Sequence, residues 1–196
     1  MEFSEWILPV AAATLHGFAY LIYNVDAEKK TTDPNLFSWF IWSFTAVLNA
    51  LTFKDMNQNW LSALQFFTGS AASILTFFLT LRRVKMSWPN KFELGSLLLA
   101  VTAGFLWAKW HQAGWANMLL LLALLLGFVP TYRGMKEKPS RERPRAWFMW
   151  TGAFLITLLN VVVQGYKWTS CIMPLFGAVL HASVGVLTYR KVRESS

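Results

Sequence analysis

The chain has 196 residues, 55% of them hydrophobic and 14% charged, and its 18 basic against 10 acidic side chains give a net charge of +8. A soluble domain of this length does not combine so many apolar residues with so few charges. The basic residues sit between long uncharged runs rather than along one face, which argues against a nucleic-acid-binding module, and the single cysteine, Cys171, excludes an internal disulfide or a multi-cysteine metal centre.

A bilayer core about 30 Å thick takes roughly 20 apolar residues per helix. Seven stretches meet that requirement, so the expected fold is an all-α bundle of seven transmembrane helices. The first, about 5–24, follows an acidic start without basic residues and reads as a retained helix rather than a cleaved signal; it carries His16 near mid-membrane. The second, about 36–53, places Trp42, Thr45, Asn49 and Thr52 at spacings of 3, 4 and 3, on one helical face. The third, about 60–81, carries a small and polar stripe of Ser62, Gln65, Gly69, Ser73, Thr76 and Thr80. The fourth is about 93–110 and the fifth about 114–132. The sixth, about 146–166, repeats the pattern of the second with Trp150, Thr157, Asn160 and Gln164, and the seventh, about 168–189, carries Ser170, Pro174, Gly177, His181 and Thr188.

With seven spans the connections alternate sides. One side receives Lys54, Lys109 and Lys167; the other receives the remaining fifteen lysines and arginines, among them Arg82, Arg83, Lys138, Arg141, Arg145 and Arg190. The positive-inside rule then puts the N-terminus outside and the C-terminus in the cytoplasm, and anionic lipid accounts for the net charge. Trp6, Trp60, Trp110, Trp115 and Trp168 are expected in the outer aromatic belt, and Trp39, Trp88 and Trp147 in the inner one. Every Asp and Glu is terminal, in a loop or at a helix boundary, as Glu5 and Glu93 are, and none is expected in the interior of a span. That removes the usual carriers of ion coupling within a bilayer, and the acid–base pair of a membrane hydrolase. No enzyme activity and no cofactor are expected.

Shifted by 108 residues, the chain overlays itself without a gap from Trp39 to Lys85, with Trp39-Phe-Ile-Trp42 on Trp147-Phe-Met-Trp150, Trp60 on Trp168, Gly69 on Gly177, and Leu79-Thr80 on Leu187-Thr188. A shift longer by two residues brings Gly17-Phe18 onto Gly127-Phe128. The expected organisation is a first three-helix repeat over 1–85, a linker helix within 86–112 and a second repeat over 113–196. An odd linker helix makes the repeats parallel, related by an axis along the membrane normal, which is one of the known transporter designs.

The 3+1+3 layout and the segment Gly127-Phe-Val-Pro130-Thr-Tyr-Arg-Gly resemble the SWEET and PQ-loop family of transporters. The resemblance implies proline hinges at the cytoplasmic ends of the first two helices of each repeat. Pro130 and Pro144 lie 14 residues apart in the second repeat, and Pro34 lies 14 residues after Tyr20 in the first, so Tyr20 stands where the fourth proline is expected. Thr131 replaces the family's Gln. The nicotinamide-riboside transporters share the same plan and are a second resemblance.

These features point to a passive, alternating-access facilitator of a small neutral polar solute such as a sugar, with no ion coupling. Trp42 and Trp150 would stack on the solute near mid-membrane, Asn49 and Asn160 would read its polar groups, and Gln65, Ser73 and His181 would complete the site. A nucleoside- or vitamin-like solute fits the same plates. A non-transporting accessory or sensor subunit of a membrane complex is the alternative from another class. Partners would be the lipid bilayer, the solute, and a homo-oligomer or complex partner; the location would be a bacterial inner membrane.

Overall fold

The computed structural model describes residues 4–85, 88–137 and 142–194; Lys138 and Arg141 of the charge count lie outside the described residues. It contains seven α-helices long and apolar enough to cross a membrane, and no strand among the described residues. They are α1 (Ser4–Glu28), α2 (Leu36–Asn57), α3 (Leu64–Leu81), α4 (Lys91–Trp110), α5 (Ala113–Glu137), α6 (Pro144–Val163) and α7 (Ile172–Glu194), with a 3₁₀ turn, Trp168–Cys171, leading into the last.

Local chemistry sets the ends. Asn35 caps α2 by accepting the backbone N–H groups of Phe37 and Ser38 at 2.9 and 3.2 Å. Asn90 and Glu93 form a reciprocal capping box at the start of α4. Pro144 opens α6 where its missing N–H costs nothing. α4 stops at His111, whose φ of 53° is left-handed, and two residues later α5 begins. Pro130 lies inside α5, which continues to Glu137 instead of ending at the proline. Glu93 ties α4 to α2 as well, accepting from Asn35 Nδ2 and Ser38 Oγ at 3.1 Å each, and it is 2% exposed. Replacing Asn90 with alanine removes the side-chain cap of α4 and one of the two donors that residue 90 gives to Glu93; a loss of about 1 kcal/mol is expected, read as a lower melting temperature in detergent.

The helices pack in a closed circuit. α1 rests on α3 and α6, α2 on α3 and α5, and α7 on α5 and α6, giving the order α1–α3–α2–α5–α7–α6 around a common axis. α4 leans on α5 and α2 from outside the circuit. Burial agrees: 56% of the α2 span is buried within the protein and only 22% of the α4 span. A bundle of this kind leaves its axis to be filled by side chains from six helices, and that is where the polar residues converge.

Candidate functional site

A cavity of about 80 Å³ lies on the bundle axis and is lined from all six helices of the circuit. At roughly 10–15 Å³ per water on the same measure, it has room for about five to eight waters. Its walls are mostly aromatic: Tyr20 from α1, Trp39 and Trp42 from α2, Phe66 from α3, Phe128 from α5, and Trp147, Trp150 and Phe154 from α6. The rings meet edge to face. Trp150 lies 5.0 Å from Tyr20 at 71°, Trp39 lies 5.0 Å from Trp42 at 87°, and Trp147 lies 5.1 Å from Trp150 at 75°. Such geometry fits the ring quadrupole and makes a rigid wall.

Five polar side chains interrupt that wall: His16, Tyr20, Thr45, Asn49 and His181. His16 is held from behind by Gln65, whose Nε2 lies 2.9 Å from His16 Nδ1 and whose Oε1 accepts from the Thr157 hydroxyl. This buried chain couples α1, α3 and α6. His181 sits among the rings of Phe128, Trp147, Trp150 and Phe154, with its Nδ1 2.7 Å from the Gly177 carbonyl. The hydroxyl of Tyr20 faces Ser73, whose own hydroxyl donates to the Ser70 carbonyl at 3.0 Å. Asn49 Oδ1 accepts from Asn117 Nδ2 at 3.3 Å, the same amide group that donates to Thr52. The glycines matched by the 108 shift do matching work. A Cβ on Gly69 would stand 2.8 Å from His16 Nε2, and one on Gly177 would stand 2.7 Å from the Phe154 ring. Each glycine admits a ring from a neighbouring helix.

Contacts tie the helix ends together on both sides of the cavity. At the lysine- and arginine-rich end, Trp39 Nε1 lies 3.4 Å from Tyr23 Oη and Trp147 Nε1 donates to Glu142 at 3.0 Å. Beside them Arg145 pairs with the buried Asp26 at 2.7 Å, joining α6 to α1. At the opposite end Phe53 packs on Phe66 at 4.5 Å, Ser170 donates to Asn57 at 2.7 Å, and Asn59 donates to the Tyr166 hydroxyl at 2.8 Å.

The structure brings Trp42, Trp150, Asn49 and His181 to this one cavity. Gln65 and Ser73, 1% and 0% exposed, stand behind it as supports for His16 and Tyr20. Asn160 does not join them; it borders a separate cavity of about 60 Å³ with Glu5, Asn59 and Tyr166. The reason is angular. A seven-residue step, Trp42 to Asn49, returns an α-helix to within about 20° of the starting face, whereas the ten-residue step from Trp150 to Asn160 leaves it about 80° away.

Trp39 and Trp147 are corrected too. They are 2% and 1% exposed and line the cavity instead of an aromatic belt, while Trp88, at 96%, is fully accessible. The register of the first and fifth helices also changes. The lining residues pair as His16 with Leu124, Tyr20 with Phe128, Trp39 with Trp147, Trp42 with Trp150 and Ala46 with Phe154, every pair 108 apart. Tyr20 therefore corresponds to Phe128 and not to Pro130, and it is a wall residue where a proline hinge was expected. Gly17 and Gly127, aligned by the longer shift, meet unlike neighbours, Thr68 and the Trp42 indole nitrogen. Of the three prolines, Pro130 borders a small space of about 20 Å³ beneath Trp42, together with Thr131 and Asn35. The constant 108 offset was the signal that could have placed Tyr20, Phe128 and Phe154 in the wall.

Fold and site together define a polytopic membrane protein of seven helices with an aromatic, sparsely polar cavity on its axis. Comparison with known proteins gives no match: no family model, no curated protein and no solved structure matches the chain.

Proposed function

We propose that the chain is a membrane transporter, an alternating-access facilitator that binds a small neutral polar solute in the axial cavity. The observation that carries this reading is the position of the cavity. It lies on the bundle axis with helix-to-helix contacts towards either end, as a site exposed to alternate sides requires. The reading takes α1–α3 and α5–α7 as two parallel repeats joined by α4, in the manner of the SWEET and PQ-loop transporters. The neighbour order supports it: α3 stands between α1 and α2 as α7 stands between α5 and α6, and the two junctions, α1 with α6 and α2 with α5, exchange under the same relation. The charge asymmetry supports an outside N-terminus and a cytoplasmic C-terminus, and the reading places the protein in a bacterial inner membrane. No carboxylate lines the cavity, which fits uniport over ion coupling and binding over catalysis.

Two measurements test the reading. Uptake of a panel of radiolabelled hexoses, nucleobases and vitamins into liposomes containing the purified protein should show saturable, counterflow-sensitive transport of one solute class. A protein that moves none of them and binds none would instead be an accessory subunit. Single cysteines at positions 57 and 88, in a Cys171→Ser background, should label from opposite faces of the membrane; labelling from one face would overturn the orientation.

A further inference from the structure

Three ring and amide nitrogens on the cavity wall have their hydrogen-bonding sense set by partners outside it. Thr157 donates to Gln65 Oε1, so Gln65 presents its Nε2 hydrogens to His16 Nδ1, which must accept. The His16 proton then resides on Nε2, at the side of Gly69, itself a wall residue. His181 has the opposite tautomer. Its Nδ1–H donates to the Gly177 carbonyl, leaving Nε2 as a bare acceptor. Asn49 has its oxygen taken by Asn117, which leaves its Nδ2 as a donor. His16 and His181 both border the ring of Phe154, at 5.4 and 5.1 Å between centroids, and both line the cavity, one from α1 and the other from α7.

We infer that the solute is a flat, uncharged heterocycle carrying an imide or lactam edge: carbonyl oxygens for the N–H groups of His16 and Asn49, and a ring N–H for Nε2 of His181. This rests on the transport reading and narrows it. Two donors and one acceptor match two carbonyls flanking one N–H. A pyranose brings a donor with every hydroxyl, and for these the wall offers Nε2 of His181 and the hydroxyl oxygens of Thr45 and Tyr20, too few for a full set; a buried donor without a partner is costly. The aromatic wall adds the surface on which a flat ring stacks. The volume of about 80 Å³ is small, so the solute is at most a single ring and the wall must give to admit it.

The test uses the full-length protein in nanodiscs, with binding followed by quenching of its tryptophan fluorescence and transport by liposome uptake. The probes are uracil, 1,3-dimethyluracil and D-glucose. Uracil should bind saturably and be taken up. Dimethyluracil, which keeps the ring and both carbonyls but lacks every N–H, should bind at least tenfold more weakly. His181→Phe should lower uracil affinity about tenfold and leave dimethyluracil affinity unchanged, with the melting temperature showing that the variant is folded. Should His181→Phe fail to fold, the comparison of the two uracils on the unaltered protein still decides. Equal binding of uracil and dimethyluracil, or uptake of glucose but not uracil, overturns the imide assignment and leaves transport standing. No binding and no uptake across the wider solute panel overturns the transport reading itself.

Discussion

Replacing Trp150 with alanine is expected to lower both stability and solute affinity, whereas Trp42→Ala should lower mainly affinity. Trp150 is 2% exposed and touches Tyr20, Tyr23, Trp147 and His181, with centroids between 5.0 and 5.6 Å. Deleting such a side chain leaves a void that rigid aromatic neighbours cannot close, and costs about 3–5 kcal/mol. Trp42 is only half-buried, and its indole nitrogen lies against Gly127 of α5 without a hydrogen-bond partner. Removing it opens less of the packed interior. A flat solute stacked on an aromatic side chain gains about 1–3 kcal/mol per ring by analogy with base stacking, so either alanine variant should bind about 5- to 150-fold more weakly per folded molecule. Phenylalanine at either position should recover part of that. Melting temperature and solute affinity measured on the same variants separate the roles. A Trp42→Ala protein with a large drop in melting temperature and unaltered affinity would remove Trp42 from the site.

Gln65→Leu is expected to destabilise the bundle by about 2–4 kcal/mol although it preserves volume. The side chain is 1% exposed and bridges His16 on α1 to Thr157 on α6. Leucine leaves the imidazole nitrogen without its donor and the threonine hydroxyl without its acceptor, and each buried polar atom so orphaned costs about 1–3 kcal/mol. Adding Thr157→Val should return part of the loss, because replacing both partners of a buried hydrogen bond with apolar groups of similar shape is far milder than orphaning one. The double-mutant cycle is read by thermal denaturation in detergent. A single variant within about 0.5 kcal/mol of the parent would show that the chain of bonds has no structural weight. Gln65→Leu should also release the His16 tautomer, visible as a change in its imidazole nitrogen resonances.

Much of this architecture is legible in one dimension. Seven helices follow from apolar length alone, since a chain in lipid must satisfy its backbone internally and a helix does so within one segment. The 108-residue offset is legible as well, and it already couples Trp42 with Trp150 and Gly69 with Gly177. The polar edge of the cavity is less so. Ser73 and His181 are matched by the offset, yet His181 reaches the cavity while Ser73 serves as a partner for Tyr20. Asn160 was grouped with Trp150 by counting polar residues along a helix, and ten residues of rotation carry it to another space.

What the sequence by itself determined is the medium, the number of helices, and the 108-residue offset that matches residues of the second and third helices with residues of the sixth and seventh. Those depend on composition, length and spacing, which are properties of a line. Only the tertiary structure decided which faces look inward. In water the apolar side of a helix marks the core, but in a bilayer lipid and protein interior are both apolar, so hydrophobic pattern does not tell a lipid-facing tryptophan from one on the bundle axis. Trp39 and Trp147 are the measure of that: identical in residue type to Trp88, placed near the same end of the chain's helices, and buried where Trp88 is bare. Which nitrogen of His16 or His181 faces the cavity is likewise settled by partners 49 residues away on α3 in one case and by a carbonyl one turn back in the other. A hydrogen bond across helices exists only once the helices are packed.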